Sequence, residues 1–160
     1  SYPGGPELEK LAREGDPHAY TFPRGFYAGP HYDFSFSGLK TSAINLVHNA
    51  EQRGEPVRRA DIAASFQQAV VDIFAGKAVR AAKELGCHTL ALAGGVAANT
   101  ALREGLAQRA KEAGVNFVCP PKNLCTDNAA MIGAAGYCRV LRGKFGDLAL
   151  NANPGMKLGF

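Results

Sequence analysis

Two short apolar runs, Thr89-Leu90-Ala91-Leu92-Ala93 and Val115-Asn116-Phe117-Val118, flank one stretch of helical character, and this alternation constrains the fold most. The first run ends at Gly94-Gly95 and reads as a buried parallel strand. The second ends at Pro120-Pro121. Between them a helix is expected from about Asn99 to Ala113, stopped by Gly114. A strand, a helix and a second strand joined by short loops call for a right-handed crossover and a parallel pair. Upstream, Ile62, Phe66, Ala69, Val70, Ile73 and Phe74 follow helical spacing, so a long helix is expected from a cap at Asp61 to Gly86. Downstream, a last helix is expected from about Asp127 to Leu141, with a small-residue face at Ala130, Ala134 and Cys138. The fold class is therefore α/β and helix-rich, with a short parallel sheet. Two strands alone leave both sheet edges open, so further strands are expected outside this chain.

Residues 1–58 have a different character. Gly, Pro and aromatic residues crowd this segment, with helices expected from Pro6 to Glu14 and, capped by Ser37, to about Gln52. The chain thus reads as a turn-and-helix segment over residues 1–58 and an alternating helix/strand core over 59–160. Its 160 residues suffice for one domain with a core. No apolar run approaches the roughly 20 residues of a membrane helix. The formal charge of +4 is compatible with a nucleic-acid partner, but the basic residues form no dense run. The four cysteines, Cys87, Cys119, Cys125 and Cys138, form no CxxC pair, which argues against a zinc ribbon and for buried thiols in a reducing cytoplasm. The opening Ser1-Tyr2-Pro3-Gly4-Gly5-Pro6 enters a turn without an initiator methionine, and a segment of a longer protein is expected.

Three junctions can carry chemistry. Leu92-Ala93-Gly94-Gly95-Val96-Ala97-Ala98-Asn99 lies where a parallel strand gives way to a helix, the edge at which open α/β sheets bind ligands. Gly94 and Gly95 let a ligand approach the backbone, and the helix start favours an anion. Asn99 can cap the helix or bond a base or ribose. In Tyr2 to Glu9, the glycines permit close approach and Glu9 can accept ribose hydroxyls; an acidic first turn matching the helix dipole is the simpler reading. In Leu124 to Met131, Asp127 can cap the last helix or present a carboxylate to a metal at the same sheet edge. His18, His31, His48 and His88 share no metal-ligand spacing and read as surface or partly buried. Asp33-Phe34-Ser35-Phe36-Ser37-Gly38-Leu39-Lys40 reads as a strand end with a serine cap.

The order and wording of these segments are specific. YPGGPELEKLA, DFSFSGLKT, DIAASFQQAVVD, LALAGGVAANTALR and CTDNAAMIGAAG together resemble the bacterial branch of the TsaD family, formerly called Gcp and once labelled a sialoglycoprotein endopeptidase. The resemblance implies the actin, Hsp70 and sugar-kinase superfamily (a ribonuclease H-like fold). The implied activity is transfer of a threonylcarbamoyl group from threonylcarbamoyl-adenylate to N6 of adenosine at position 37 of tRNAs reading ANN codons. It implies that Gly5, Glu9, Gly94, Gly95 and Asn99 bind the adenylate, and that Asp127 is one ligand of a divalent iron or zinc. Implied partners are tRNA, TsaB and TsaE, with a cytoplasmic location and no membrane.

The departures bear on activity. The family's HxxxH metal-ligand pair, SGGHT loop and early Gly-rich phosphate loop all precede the YPGGP turn and do not occur in these residues. An isolated chain would carry one metal ligand and half a nucleotide cleft, and is expected to be inactive. A nucleotide- or partner-binding module and a kinase of the same superfamily stay open as alternatives. Nothing here supports a protease, since no nucleophile–base arrangement or zinc-protease motif is present.

Overall fold

A computed structural model describes residues 4–24 and 31–156. In chain order these form α1 (Gly4–Ala12), α2 (Ser37–Arg53), α3 (Arg59–Glu84), β1 (Thr89–Ala91), a 3-10 turn (Gly95–Ala98), α4 (Thr100–Glu112), β2 (Asn116–Val118), a second 3-10 turn (Lys122–Leu124) and α5 (Ala129–Leu141). The chain divides into two compact units, Ser1–Cys125 and Thr126–Phe160.

The first unit is organised around α3, whose 26 residues make it about 39 Å long. A helix of this length offers three successive packing sites. Near its start, Ala63 and Ala64 bury against Ala12 and Leu8 of α1. At its middle, Ala69 and Ile73 meet Phe22 and Leu39, with Tyr20, Phe36, Leu46 and Phe66 around them. On another face, Val71 and Ala75 meet Leu102 and Leu106 of α4, with Leu90 and Phe117 of the strands behind. Small residues set the approach distances. A Cβ on Gly105 of α4 would lie 2.4 Å from Val71 Cγ1, and a Cβ on Gly15 would lie 2.0 Å from the Ala60 carbonyl oxygen. The second collision is with backbone, which cannot rotate away. Gly15→Ala is therefore expected to destabilise the chain by ~1–3 kcal/mol through forced separation of the α1–α3 turn. A chemical-denaturation midpoint equal to wild type would contradict that close approach.

The strands pair in parallel, with Thr89 opposite Asn116, Leu90 opposite Phe117 and Ala91 opposite Val118. Two further bonds, Asn116 N to His88 O at 2.9 Å and Leu92 N to Val118 O at 3.0 Å, extend the ladder at both ends. The expected order and direction hold, but the first strand is not buried. Only Leu90 and Phe117 turn towards α3 and α4, while Thr89, Ala91, Asn116 and Val118 are exposed. Side chains alternate across a strand, and among the described residues only one sheet face is covered.

Three expected helix caps are corrected. α3 starts at Arg59, with Arg58 as N-cap, so Asp61 falls in its first turn. There Asp61 Oδ1 accepts from Asp16 N at 2.9 Å and Arg58 Nη1 at 3.0 Å, fastening the incoming turn rather than the helix end. α2 takes Ser37 as its first residue and Phe36 as N-cap, without a side-chain cap. Its entry is set by aromatic packing: Phe34 and Phe36 lie 4.7 and 5.1 Å from the Phe74 ring. Residues 32–36 are irregular rather than strand. The Lys77 ammonium, buried in mid-α3, donates to the Asp33 carbonyl and holds that segment down.

In the second unit α5 begins at Ala129, and Asn128, not Asp127, is the N-cap: Asn128 Oδ1 accepts from Met131 N at 3.0 Å. Its small-residue face is exposed, as is every described residue of the helix. The expectation of buried thiols holds for Cys125 alone. Cys87 sits at the exposed turn before β1, Cys138 lies on α5, and Cys119 is half-buried. The four histidines are all exposed. Among the described residues no helix is long and apolar enough to cross a membrane.

Candidate functional site

The GGVAAN segment forms a tight junction between β1 and α4. Gly94 adopts φ 86°, ψ 173°, a left-side conformation that disfavours any side chain, and a Cβ there would meet nothing within 4 Å. The loop is therefore glycine for backbone reasons and is open to approach. Gly95 starts the 3-10 turn, and Asn99 ends it in extended conformation at φ −64°, ψ 124°. This conformation suits an N-cap. Asn99 Oδ1 accepts from Leu102 N at 2.9 Å, so the cap expected from the sequence is present.

Glu9 arrives from α1. Its Oε1 accepts from Thr100 N at 3.1 Å, across 91 positions of sequence. A carboxylate placed on the first amide of a helix is favoured by the unpaired N–H groups and the dipole there. Arg13 lies 3.4 Å from the same oxygen, and Lys122 Nζ donates to Thr100 Oγ1 at 2.6 Å. Glu9 is mostly buried, with 17% of its side chain exposed. Burial pushes its pKa up, but hydrogen bonds from the Thr100 backbone and side chain, and from Arg13 with its charge, outweigh burial and hold it below the ordinary carboxylate value. A depressed folded-state pKa stabilises the protein above the unfolded value, about 4.3, and that contribution is lost as pH falls through the folded-state pKa. The α1–α4 contact should therefore weaken in acid. Glu9→Gln should flatten the stability-versus-pH curve in that window and leave its neutral-to-alkaline shape unchanged. Identical acid limbs for the two proteins would refute the linkage.

Arg103, the last residue of the LALAGGVAANTALR segment but given no role in the sequence reading, ties the loops that follow both strands. Its Nε donates to the Ala97 carbonyl in the first loop, and its Nη2 to the Pro120 carbonyl in the second. The same nitrogen lies 2.9 Å from the buried Cys125 Sγ. One guanidinium thus fixes both loops at the carboxyl edge of the sheet, as its planar fork of donors allows. Sequence spacing gave no signal for Arg103, because its partners lie in loops 6 and 17 positions away.

The structure thus brings Glu9 against Asn99-Thr100, with Gly94 and Gly95 in the adjoining loop. Gly5 lies one helical turn before Glu9 on the same face of α1, exposed, with open space where a Cβ would stand. Asp127, in the second unit, is an exposed carboxylate just before the α5 cap. Among the described residues no group of three or more His, Cys, Asp or Glu side chains could hold a metal ion, so these residues do not by themselves make a metal site.

Fold and site define an α/β module whose polar groups and open glycine loop converge at the carboxyl edge of a parallel strand pair, where open α/β sheets take their ligands. The chain belongs to the TsaD family: the family profile described as tRNA N6-adenosine threonylcarbamoyltransferase matches residues 1–134. Proteins of that name are similar to it throughout. The one from Moorella thermoacetica is 53% identical over 157 residues, covering 98% of this chain and 46% of that protein. The one from Geobacillus thermodenitrificans is 53% identical over 158 residues, and the one from Clostridioides difficile 46% identical over 157, each again over 98% of this chain and 46% of the relative. The chain spans about half the length of the curated relatives it matches.

Proposed function

We propose that this chain is the C-terminal portion of a tRNA-modifying acyltransferase, which transfers the threonylcarbamoyl group of threonylcarbamoyl-adenylate to N6 of adenosine 37 in tRNAs reading ANN codons. Family membership over nearly the whole chain supports this. The observation that carries the site is the meeting of Glu9 with the start of α4, which joins the first and fourth motifs of the resemblance across 91 positions. In this reading Gly5 and Glu9 hold one side of the adenylate, and Gly94, Gly95 and Asn99 hold the other. The glycines admit its backbone-hugging part, and Glu9 and Asn99 bond its hydroxyls or base. Residues 1–58 supply the first side and residues 59–160 the nucleotide-side core of an actin-like fold.

The resemblance also carries Asp127 as one ligand of a divalent iron or zinc. Its exposed position fits a contributor to a shared site, with the other ligands from elsewhere in the parent protein. TsaB, TsaE and tRNA would be its partners, in the cytoplasm. The binding-module reading, in which this chain binds a nucleotide or a partner protein without chemistry, rests on the same Glu9–Thr100 contact and glycine loop.

Asn99→Ser separates the two roles of Asn99. Serine caps helices about as well as asparagine but gives up the Asn99 Nδ2 bond to Gln67 Oε1, so stability should fall by only about 0.5–1.5 kcal/mol. The amide that bonds the nucleotide is lost, so AMP should bind the full-length protein about tenfold more weakly. Unchanged AMP affinity in calorimetry would remove Asn99 from the site.

A further inference from the structure

The hydrogen bonds around Asn99 fix which end of its amide faces which neighbour. The atom 2.9 Å from Leu102 N must be an oxygen, because a backbone N–H can only donate. The other end is therefore Nδ2, which can only donate in turn. It lies 2.9 Å from the Gln67 side chain, whose nearer atom must then be its oxygen, Oε1. Gln67 stands on α3, one turn before Val71, and Val71 is buried with Leu102 and Leu106 of α4. The bare Gly105 lets the two helices approach closely at this level. The amide pair is thus held by a packed interface, and both members are half-buried.

We propose that Gln67 is a positioning residue of the ligand site: its side-chain oxygen takes one N–H of Asn99 and presents the other to a hydrogen-bond acceptor of the nucleotide. The proposal rests on the reading of Asn99 as a nucleotide contact. It adds a specificity rule. With Oδ1 committed to the cap and one N–H committed to Gln67, Asn99 meets its ligand as a donor. The group recognised is an acceptor, a ribose hydroxyl oxygen or an unprotonated purine ring nitrogen. Gln67 does not touch the ligand. It acts by stopping the amide from swinging away from the orientation in which that second N–H points outward.

A double-mutant cycle on the full-length protein tests this, with AMP as the probe and calorimetric affinity as the readout. Gln67→Met keeps the length and removes the acceptor; Gln67→Ala is carried in parallel in case the longer side chain disturbs folding. Each should weaken AMP binding about three- to tenfold with Asn99 present. In the Asn99→Ser background the same changes should have almost no further effect, because a residue acting only through Asn99 has nothing left to position. Equal losses in both backgrounds would show a merely structural role and overturn the proposal, as would no loss in the first. If Asn99→Ser alone leaves AMP affinity intact while Gln67→Met weakens it, the site assignment itself fails and the positioning role falls with it.

Discussion

Purified alone, the chain should form no threonylcarbamoyladenosine above a no-protein control in a single-turnover assay with preformed threonylcarbamoyl-adenylate and unmodified tRNA. The loss is expected to be complete rather than partial. Stable transition-metal sites take three or four protein ligands, and among the described residues no cluster of that size exists. Asp127, a single exposed carboxylate, holds a cation no better than many surface acids. The adenylate fares little better. In the proposed site Gly5 and Glu9 face one side of the adenylate and Gly94, Gly95 and Asn99 the other, but the family's Gly-rich phosphate loop does not occur in these residues, so the phosphate end would keep its contact with water. If TsaB and TsaE are partners as proposed, adding them should not restore turnover, because the resemblance implies that the remaining metal ligands come from the parent polypeptide. Product above the control, abolished by Asp127→Ala, would show that the chain carries a complete site.

Phe22→Ala should cost ~3–5 kcal/mol, the range for emptying a large buried aromatic site. Phe22 is 2% exposed and lies at the centre of the cluster formed with Leu39, Ala69 and Ile73. Its ring meets Phe66 edge-on at 5.8 Å and 82°, a geometry that adds to simple burial. The cavity cannot close easily, because Ala69 and Ile73 belong to the rigid α3 and Leu39 to α2. Two residues on, Arg24 donates to the Phe22 carbonyl at 3.2 Å and pairs with Asp72 at 2.9 Å, and Asp72 also binds Arg109 of α4. Phe22 therefore anchors a strap between two helices as well as filling space. Since whole domains are stable by only about 5–15 kcal/mol, this loss is a large share of the total. Urea unfolding of both proteins would measure the difference, and a loss below ~1 kcal/mol would mean that the site collapses around the smaller side chain.

The parallel pairing of Thr89–Ala91 with Asn116–Val118, the order of the helices and the Asn99 cap were all legible in the sequence. Each depends on neighbours within a few positions: a run of apolar residues, a 3.6-residue period, a capping side chain before its helix, a glycine that alone tolerates positive φ. The starts of α2, α3 and α5 were not legible, because several residues in each segment can cap and tertiary bonds choose among them. Asp61 was drawn off to Asp16, the Phe34 and Phe36 rings were drawn to Phe74, and Asn128 outcompeted the adjacent Asp127. The exposure of β1 was likewise invisible, since an apolar run reports that a strand can be buried and not what lies over it.

The candidate site divides along the same line. Sequence alone determined which glycines, carboxylates and amides stand at helix junctions, because junction chemistry is local. Only the tertiary structure decided that Glu9 closes on Thr100, that Gln67 fixes the Asn99 amide and that Arg103 ties both strand-end loops together. Those contacts are made by packing α1 and α4 onto one long helix, and hydrogen bonds between residues far apart in the chain leave no period or spacing behind in its sequence.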